Sequence, residues 1–131
     1  VHEIEALASH LDNLQIVIDH CFMLNTFRKT EATLTALEWL SKLPNIHAKL
    51  TSGTHGSARV YPHEDMHGPL KRIIEAFTPE RCVWGSNFPN ALWSKGTSYA
   101  ENLSLFTEEI GLSQSDQEAI LGGTAERLWF S

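Results

Sequence analysis

Apolar residues recur along this chain with two different periods, and the switching between them sets out its elements. Ile4, Leu7, Ala8 and Leu11 share one helical face, and Asp12-Asn13 supplies the turn that ends it. Residues 15 to 20, "QIVIDH", then form a short β-branched run of the kind expected for a strand covered on both faces, as in a parallel sheet. Helical spacing returns with Thr30 and Thr33, runs through Leu34, Leu37, Leu40 and Leu43, and stops at Pro44-Asn45. A second strand is predicted over residues 46 to 51, "IHAKLT", followed by a long polar loop from residue 52 to 69. Leu70, Ile73, Ile74 and Phe77 give a third helix that Thr78-Pro79 terminates, and "RCVWGS", residues 81 to 86, is the third strand.

After another polar loop, residues 86 to 98, a helix is predicted over 99 to 110, ending near Gly111. Ser113 caps a further short helix, with Asp116 three residues on, and Gly122-Gly123 is expected to break it. "TAERLWF" closes the chain as one last helix.

A strand-loop-helix unit repeated three times implies parallel strands joined by right-handed crossovers. Three such strands leave two bare edges, which α/β domains hide by adding strands or by closing into a barrel. The pattern therefore predicts an α/β fold in which residues 1 to 131 form a single partial domain of something larger. A small, complete doubly wound domain is the alternative. The chain also opens on Val1, with a helical pattern already under way, which fits the same expectation.

Composition narrows the partners. Ten Lys plus Arg against sixteen Asp plus Glu give a formal charge of −6, without a basic stripe that could follow phosphates, so no nucleic acid is expected. No apolar stretch is long enough to span a membrane and none resembles a secretory leader, so no membrane is expected and the compartment is taken as cytoplasmic. The two cysteines, Cys21 and Cys82, are read as reduced thiols. No Gly-rich phosphate loop follows any strand, which ranks a nucleotide-binding domain last.

In parallel α/β architectures the carboxyl ends of the strands lie on one side, and ligands bind there. Those ends carry Asp19-His20-Cys21, Thr51-Ser52-Gly53 and Gly85-Ser86-Asn87, so His20 and Asn87, remote in sequence, are expected to line one pocket. An imidazole serves as a base, a metal ligand or an oxyanion donor. A carboxamide takes up no proton at neutral pH, but it donates to an oxyanion or holds a carbonyl. Each has a plainer reading. His20 also suits a capping or core role, and Asn87 before Phe88-Pro89 suits a turn. Ser52 and Ser86 are the candidate substrate-binding residues. His55, His63 and His67 are read as solvated loop residues in preference to metal ligands, because Gly68-Pro69 argues against a helix that would align the last two. Cys21 beside His20 is discounted as a nucleophile pair, since neighbours in a strand point to opposite faces.

The segments "LQIVIDHC", "LPNIHAKLTSG", "TPERCVWGSNFPN" and "ILGGTAERLWF" together resemble the C-terminal part of the amidohydrolase-2 family, metal-dependent-hydrolase-like TIM barrels that include sugar lactonases. The resemblance spans residues 7 to 131 and rests on short motifs in the family's order and spacing. It implies the C-terminal part of a TIM (β/α)8 barrel, about three parallel strands with flanking helices, corresponding to the sixth, seventh and eighth. It also implies a hydrolase acting on a lactone or related ester or amide carbonyl of a small metabolite, by attack of water.

By the same resemblance His20 matches the sixth-strand histidine, which polarises the carbonyl or meets a metal. Asn87 falls where the family usually has Asp, the base that activates water, in "WGSD". The first-strand His-x-His pair of the metal-using members has no counterpart here. No metal is therefore expected on this chain alone, with His20 the only family-matched candidate, although zinc or manganese would suit a longer parent. The missing barrel portion, or a second copy of the chain, is the expected protein partner, beside a small-molecule substrate. The alternative is a noncatalytic barrel fragment acting as a binding or assembly module, which Asn87 and the absent strands favour.

Overall fold

Three short strands form one parallel sheet in the order β1-β2-β3. They are β1 (Ile16–Ile18), β2 (Ile46–Leu50) and β3 (Cys82–Trp84). The computed structural model describes residues 1–51, 55–89 and 96–131. Six α-helices are placed among them: α1 (His2–His10), α2 (Thr30–Leu40), α3 (Glu64–Phe77), α4 (Tyr99–Ser104), α5 (Gln114–Glu118) and α6 (Thr124–Trp129). The sheet is α/β and parallel, as the pattern predicts.

Register divides the sheet into two unlike faces. Ile16 and Ile18 lie opposite Ile46 and Ala48, and Ala48 and Leu50 lie opposite Cys82 and Trp84. These residues share one hydrophobic core with Leu34, Leu37 and Leu40 of α2 and Met66, Leu70, Ile73, Ile74 and Phe77 of α3. Alternation along a strand sends the intervening residues Val17, His47, Lys49 and Val83 to the opposite face. None of those four belongs to that core. β1 and β3 each keep one edge without a partner strand among the described residues.

Polar side chains tie the layers where the chain changes direction. The buried Asn45 amide donates to the carbonyls of Ala8, Leu11 and Leu14, at 3.0, 3.2 and 3.0 Å, holding the end of α1 against the entry to β1. Arg81 donates to the carbonyls of Ser41 and Leu43, at 2.8 and 3.0 Å, closing the end of α2. Among the described residues, no helix is long and apolar enough to cross a membrane.

Several boundaries differ from the predicted ones. β1 stops at Ile18 because His20, Cys21, Phe22 and Met23 all take positive φ, between 47° and 57°. α3 begins at Glu64, so Pro69 lies inside it. The ring removes only the bond to the carbonyl four residues back, while Met66, Leu70, Ile73 and Phe77 are almost fully buried. Tertiary burial outweighs one lost hydrogen bond. Gly122-Gly123 does not end a helix: the chain widens into a π turn over Ala119–Gly123 and continues as α6. The expected cap at Ser113 forms, through a bond from the backbone N–H of Asp116, and Ser98 caps α4 in the same way through Glu101 N–H.

Candidate functional site

Charged Asp19 follows β1, and the left-handed turn it opens swings His20 over the end of β2. Residues with a Cβ resist that conformation at roughly 1–2 kcal/mol each. Burial of Cys21 and Leu24, both without exposed surface, and a Cys21 Sγ donation to the Lys49 carbonyl at 3.2 Å hold the turn in place. Asp19 receives the Lys49 ammonium at 2.8 Å. That hydrogen bond holds the Asp19 carboxyl below its ordinary value against the opposing effect of burial, with the Lys49 and His20 charges adding to it.

His20 Nδ1 is hydrogen-bonded to the Thr51 hydroxyl, directly after β2. The tautomer decides what His20 can do. With the proton on Nδ1 donated to Thr51, Nε2 carries a lone pair; with Thr51 donating, Nε2 carries the proton and polarises a carbonyl. Thr51 in turn abuts the end of β3. A Cβ on Gly85 would sit 2.6 Å from Thr51 Cγ2 and 3.1 Å from Lys49 Cε. Glycine stands there because the end of β2 brings two side chains onto its backbone. The three carboxyl ends are thus joined through one buried threonine, from His20 by way of Thr51 to Gly85.

His55 lies against this group. Its ring centroid is 5.5 Å from that of His20, with the planes at 69°. Both of its ring nitrogens are buried without a hydrogen-bond partner. Burial, and then the neighbouring His20, lowers its pKa, so the ring is held neutral. The segment after it is fixed. Thr26 N–H donates to the Gly56 carbonyl at 2.8 Å, and a Cβ on Gly56 would collide with the Leu24 carbonyl oxygen. Asp65, on α3, accepts from the hydroxyls of Thr26 and Ser57 and from Ala58 N–H. Burial pushes the Asp65 carboxyl up, but those donors outweigh it and leave it below its ordinary value.

The structure separates the three loop histidines that the sequence treats alike. His55 is packed on His20 and not solvated. His63 is buried at the start of α3 with Nδ1 on the Arg59 carbonyl, at 2.9 Å, and His67 lies within α3 with Nε2 on the Pro62 carbonyl, at 2.7 Å. The last two are occupied with backbone. Asn87 follows β3 in a left-handed conformation, φ 54°, half-buried. Ser86 Oγ accepts from Phe88 N–H at 3.2 Å, shaping the same turn. Ser52 lies outside the described residues. Cys21 and Cys82 are free, buried thiols; burial raises the pKa of both, that of Cys82 to about 12. Neither is a nucleophile.

In the sequence Thr51 stands at a strand end without a role and His55 reads as a solvated loop residue, and only one signal points to the part Thr51 plays. Gly85, directly after a strand and without positive φ, marks a close approach by a neighbour. A shallow apolar groove near Val1, Ala32, Ala36 and Trp39 lies on the helices, and its lining includes none of the strand-end residues.

A parallel α/β sheet with polar side chains gathered at its carboxyl ends is the arrangement of the α/β barrel and doubly wound classes. The chain belongs to the amidohydrolase family, whose sequence model it matches over residues 1–130. It is 28% identical over 140 residues to L-fucono-1,5-lactonase of Burkholderia multivorans, covering 97% of this chain and 47% of that protein. A crystal structure of an amidohydrolase from Burkholderia multivorans with bound zinc superposes with a TM-score of 0.79 at 28% identity, covering 95% of this chain and 46% of the other. A second crystal form, with bound HEPES, gives 0.78 at the same identity, covering 95% and 47%. The chain spans about half the length of the curated relative it matches, and its fold is the C-terminal portion of the family's TIM barrel.

Proposed function

We propose that this chain contributes the C-terminal part of the active site of a hydrolase that opens a lactone, or a related ester or amide, of a small metabolite. The observation that carries the reading is the His20–Thr51 bond across the carboxyl ends of β1 and β2. It fixes an imidazole, through a buried partner, where this architecture places catalysis. The 28% identity to a lactonase supports the choice of substrate class.

In the reaction a water oxygen bonds to the carbonyl carbon, the ring C–O bond breaks, and the alkoxide leaving group takes a proton. The product is a hydroxy acid. Where no ion is bound to it, His20, with Thr51 donating to Nδ1, presents Nε2–H to the carbonyl oxygen as negative charge develops there. Asn87 orients water or the substrate carbonyl by its amide, and its carboxamide accepts no proton, so the base that activates water is another group. Ser86 shapes the Asn87 turn, and Ser52 stands beside Thr51 in the chain as a substrate contact.

A divalent ion fits this site in part. The donors at the strand ends include imidazole, which suits zinc or manganese, while among the described residues no three His, Cys, Asp or Glu converge. His20 would hold such an ion from this chain, with its proton then on Nδ1. When bound, it supplies Lewis-acid polarisation of the carbonyl and a more acidic water.

The test is turnover by the intact protein against a panel of sugar and aromatic lactones, with and without added zinc or manganese. Hydrolysis that falls at least about 100-fold in His20→Ala supports the reading. Absence of turnover under every condition refutes it. The second reading, a binding or assembly module, is favoured by Asn87 and by the open edges of β1 and β3. It predicts ligand binding without turnover, or self-association seen by light scattering.

A further inference from the structure

We infer that His55 joins His20 as a second nitrogen ligand to one divalent transition-metal ion at the carboxyl ends of β1 and β2. The inference rests on the proposed reading only for where the site lies, and it assigns a role to a loop residue outside the family motifs recognised in this sequence.

The orphaned nitrogens of His55 carry the argument. Buried polar atoms are almost always hydrogen-bonded, and an exception calls for an absent ligand, ion or water. His63 leaves one ring nitrogen unpartnered but spends the other on the Arg59 carbonyl; His55 leaves both. The cost of burying this ring is unrecovered within the described residues. A ligand that accepts the imidazole lone pair satisfies one of the two nitrogens.

The spacing of the rings fits a shared metal ion. Two imidazoles sharing a tetrahedral zinc, with nitrogen about 2.0–2.1 Å from the metal, have centroids roughly 5 Å apart. The His20 and His55 centroids are 5.5 Å apart. Ring planes inclined at 69° set the rings edge to face and not stacked, an arrangement that a shared ion also allows. A second-sphere partner is present on the His20 ring, and the backbone after His55 is held. Thr51 orients His20 through Nδ1, the usual device by which a ligating imidazole is fixed. The His55 segment is fixed by Thr26 and Asp65.

Among the described residues the charged groups beside the pair are Asp19 and Lys49, which neutralise each other at 2.8 Å. An anion therefore finds no unmatched cation there among the described residues, whereas a borderline metal finds two imidazole rings. Since no third His, Cys, Asp or Glu converges among the described residues, the remaining positions go to water, substrate or other parts of the barrel.

The experiment is a titration of the metal-stripped intact protein with Co2+, followed by its visible d–d bands and by competition with Zn2+. Wild type is expected to bind one Co2+ per chain. His55→Ala should weaken both metals by at least about 100-fold, no less than the loss of an outer-sphere partner costs. His55→Cys gives an independent signature: a thiolate-to-cobalt charge-transfer band absent from wild type. His10→Ala, an exposed histidine on α1, should change nothing. The inference is overturned if wild type binds no Co2+, if His55→Ala keeps wild-type affinity and spectrum, or if His55→Cys binds Co2+ without the new band. None of these readouts uses turnover. A metal-binding protein that hydrolyses no lactone would sink the hydrolase reading and leave the ligand pair standing.

Discussion

Substituting Gly85 tests whether the three strand ends are mechanically joined. An added Cβ would stand 2.6 Å from Thr51 Cγ2, about 1 Å inside an ordinary carbon–carbon contact. The second neighbour, Lys49 Cε at 3.1 Å, is far along a flexible chain and can swing away. Thr51 cannot do so cheaply. It is β-branched, buried, and bonded to His20, so moving its methyl group moves its hydroxyl. Overpacking of this kind costs about 1–3 kcal/mol, offset by about 0.4–1 kcal/mol from the reduced freedom of the unfolded chain. Gly85→Ala should therefore destabilise by about 1–2 kcal/mol and lower kcat/KM through displacement of His20.

Thr51→Ser supplies the control. It removes the clashing methyl group but keeps the hydroxyl, at about 0.5–1.5 kcal/mol for one buried methyl. If the clash is the cause, the double variant should be no less stable than Thr51→Ser alone, and its kcat/KM should return towards wild type. The coupling read from urea denaturation of all four proteins should be about 1–2 kcal/mol. Additive losses, or a Gly85→Ala protein as stable and active as wild type, would refute the joined arrangement.

Asn45→Ala strips three carbonyls of their shared donor in a buried position and should cost about 2–3 kcal/mol by thermal or urea denaturation. Asp65→Asn replaces a carboxylate that accepts three donors; a loss of about 1–3 kcal/mol and faster amide exchange at Ala58 are expected. Because Asp65 has a folded pKa below its unfolded value, its contribution is present above about pH 4 and is lost as pH falls through the folded value. His47 is depressed by burial and then by the Arg81 charge. The unfolded chain therefore takes up this proton first, and stability is full above about pH 6.5 and declines as pH falls below it. The slope of unfolding free energy between pH 7 and 5 should flatten in His47→Gln; an unchanged slope would remove His47 from that account.

The sheet was legible because β-branched runs and helical spacing are local signals, and Ile16 to Ile18 or Leu34 to Leu40 carry them without help from the rest of the chain. The start of α3 was not. Gly68-Pro69 argues locally against a helix, and only burial of Met66 and Leu70 against distant residues reverses the balance. The site divides in the same way. His20 and Asn87 stand out because polar residues at strand ends are visible in sequence. His55 reads as a loop residue until Gly56 and Ala58 are seen bonded to Thr26 and Asp65, contacts that span up to 32 residues. Thr51 reads as an ordinary strand residue, and its place between His20 and Gly85 follows from register alone.

Asn87 shows where conformation and chemistry part. The turn after β3 demands φ near 54°, and Asn and Asp are the side-chain-bearing residues that adopt it most readily. The backbone is therefore indifferent between the Asp that the family usually carries at this point and the Asn found here. Proton transfer is not indifferent. Asn87→Asp keeps size and backbone but adds a group that accepts water's proton, so the fold should be unchanged and its melting temperature close to wild type. If the position faces the attacking water, kcat should rise by about 100-fold or more, on a limb that appears as the new carboxylate ionises. The pH profile against a responsive lactone measures this. A stable Asn87→Asp protein with unaltered or lower turnover would mean that the carboxamide serves the turn and not the reaction.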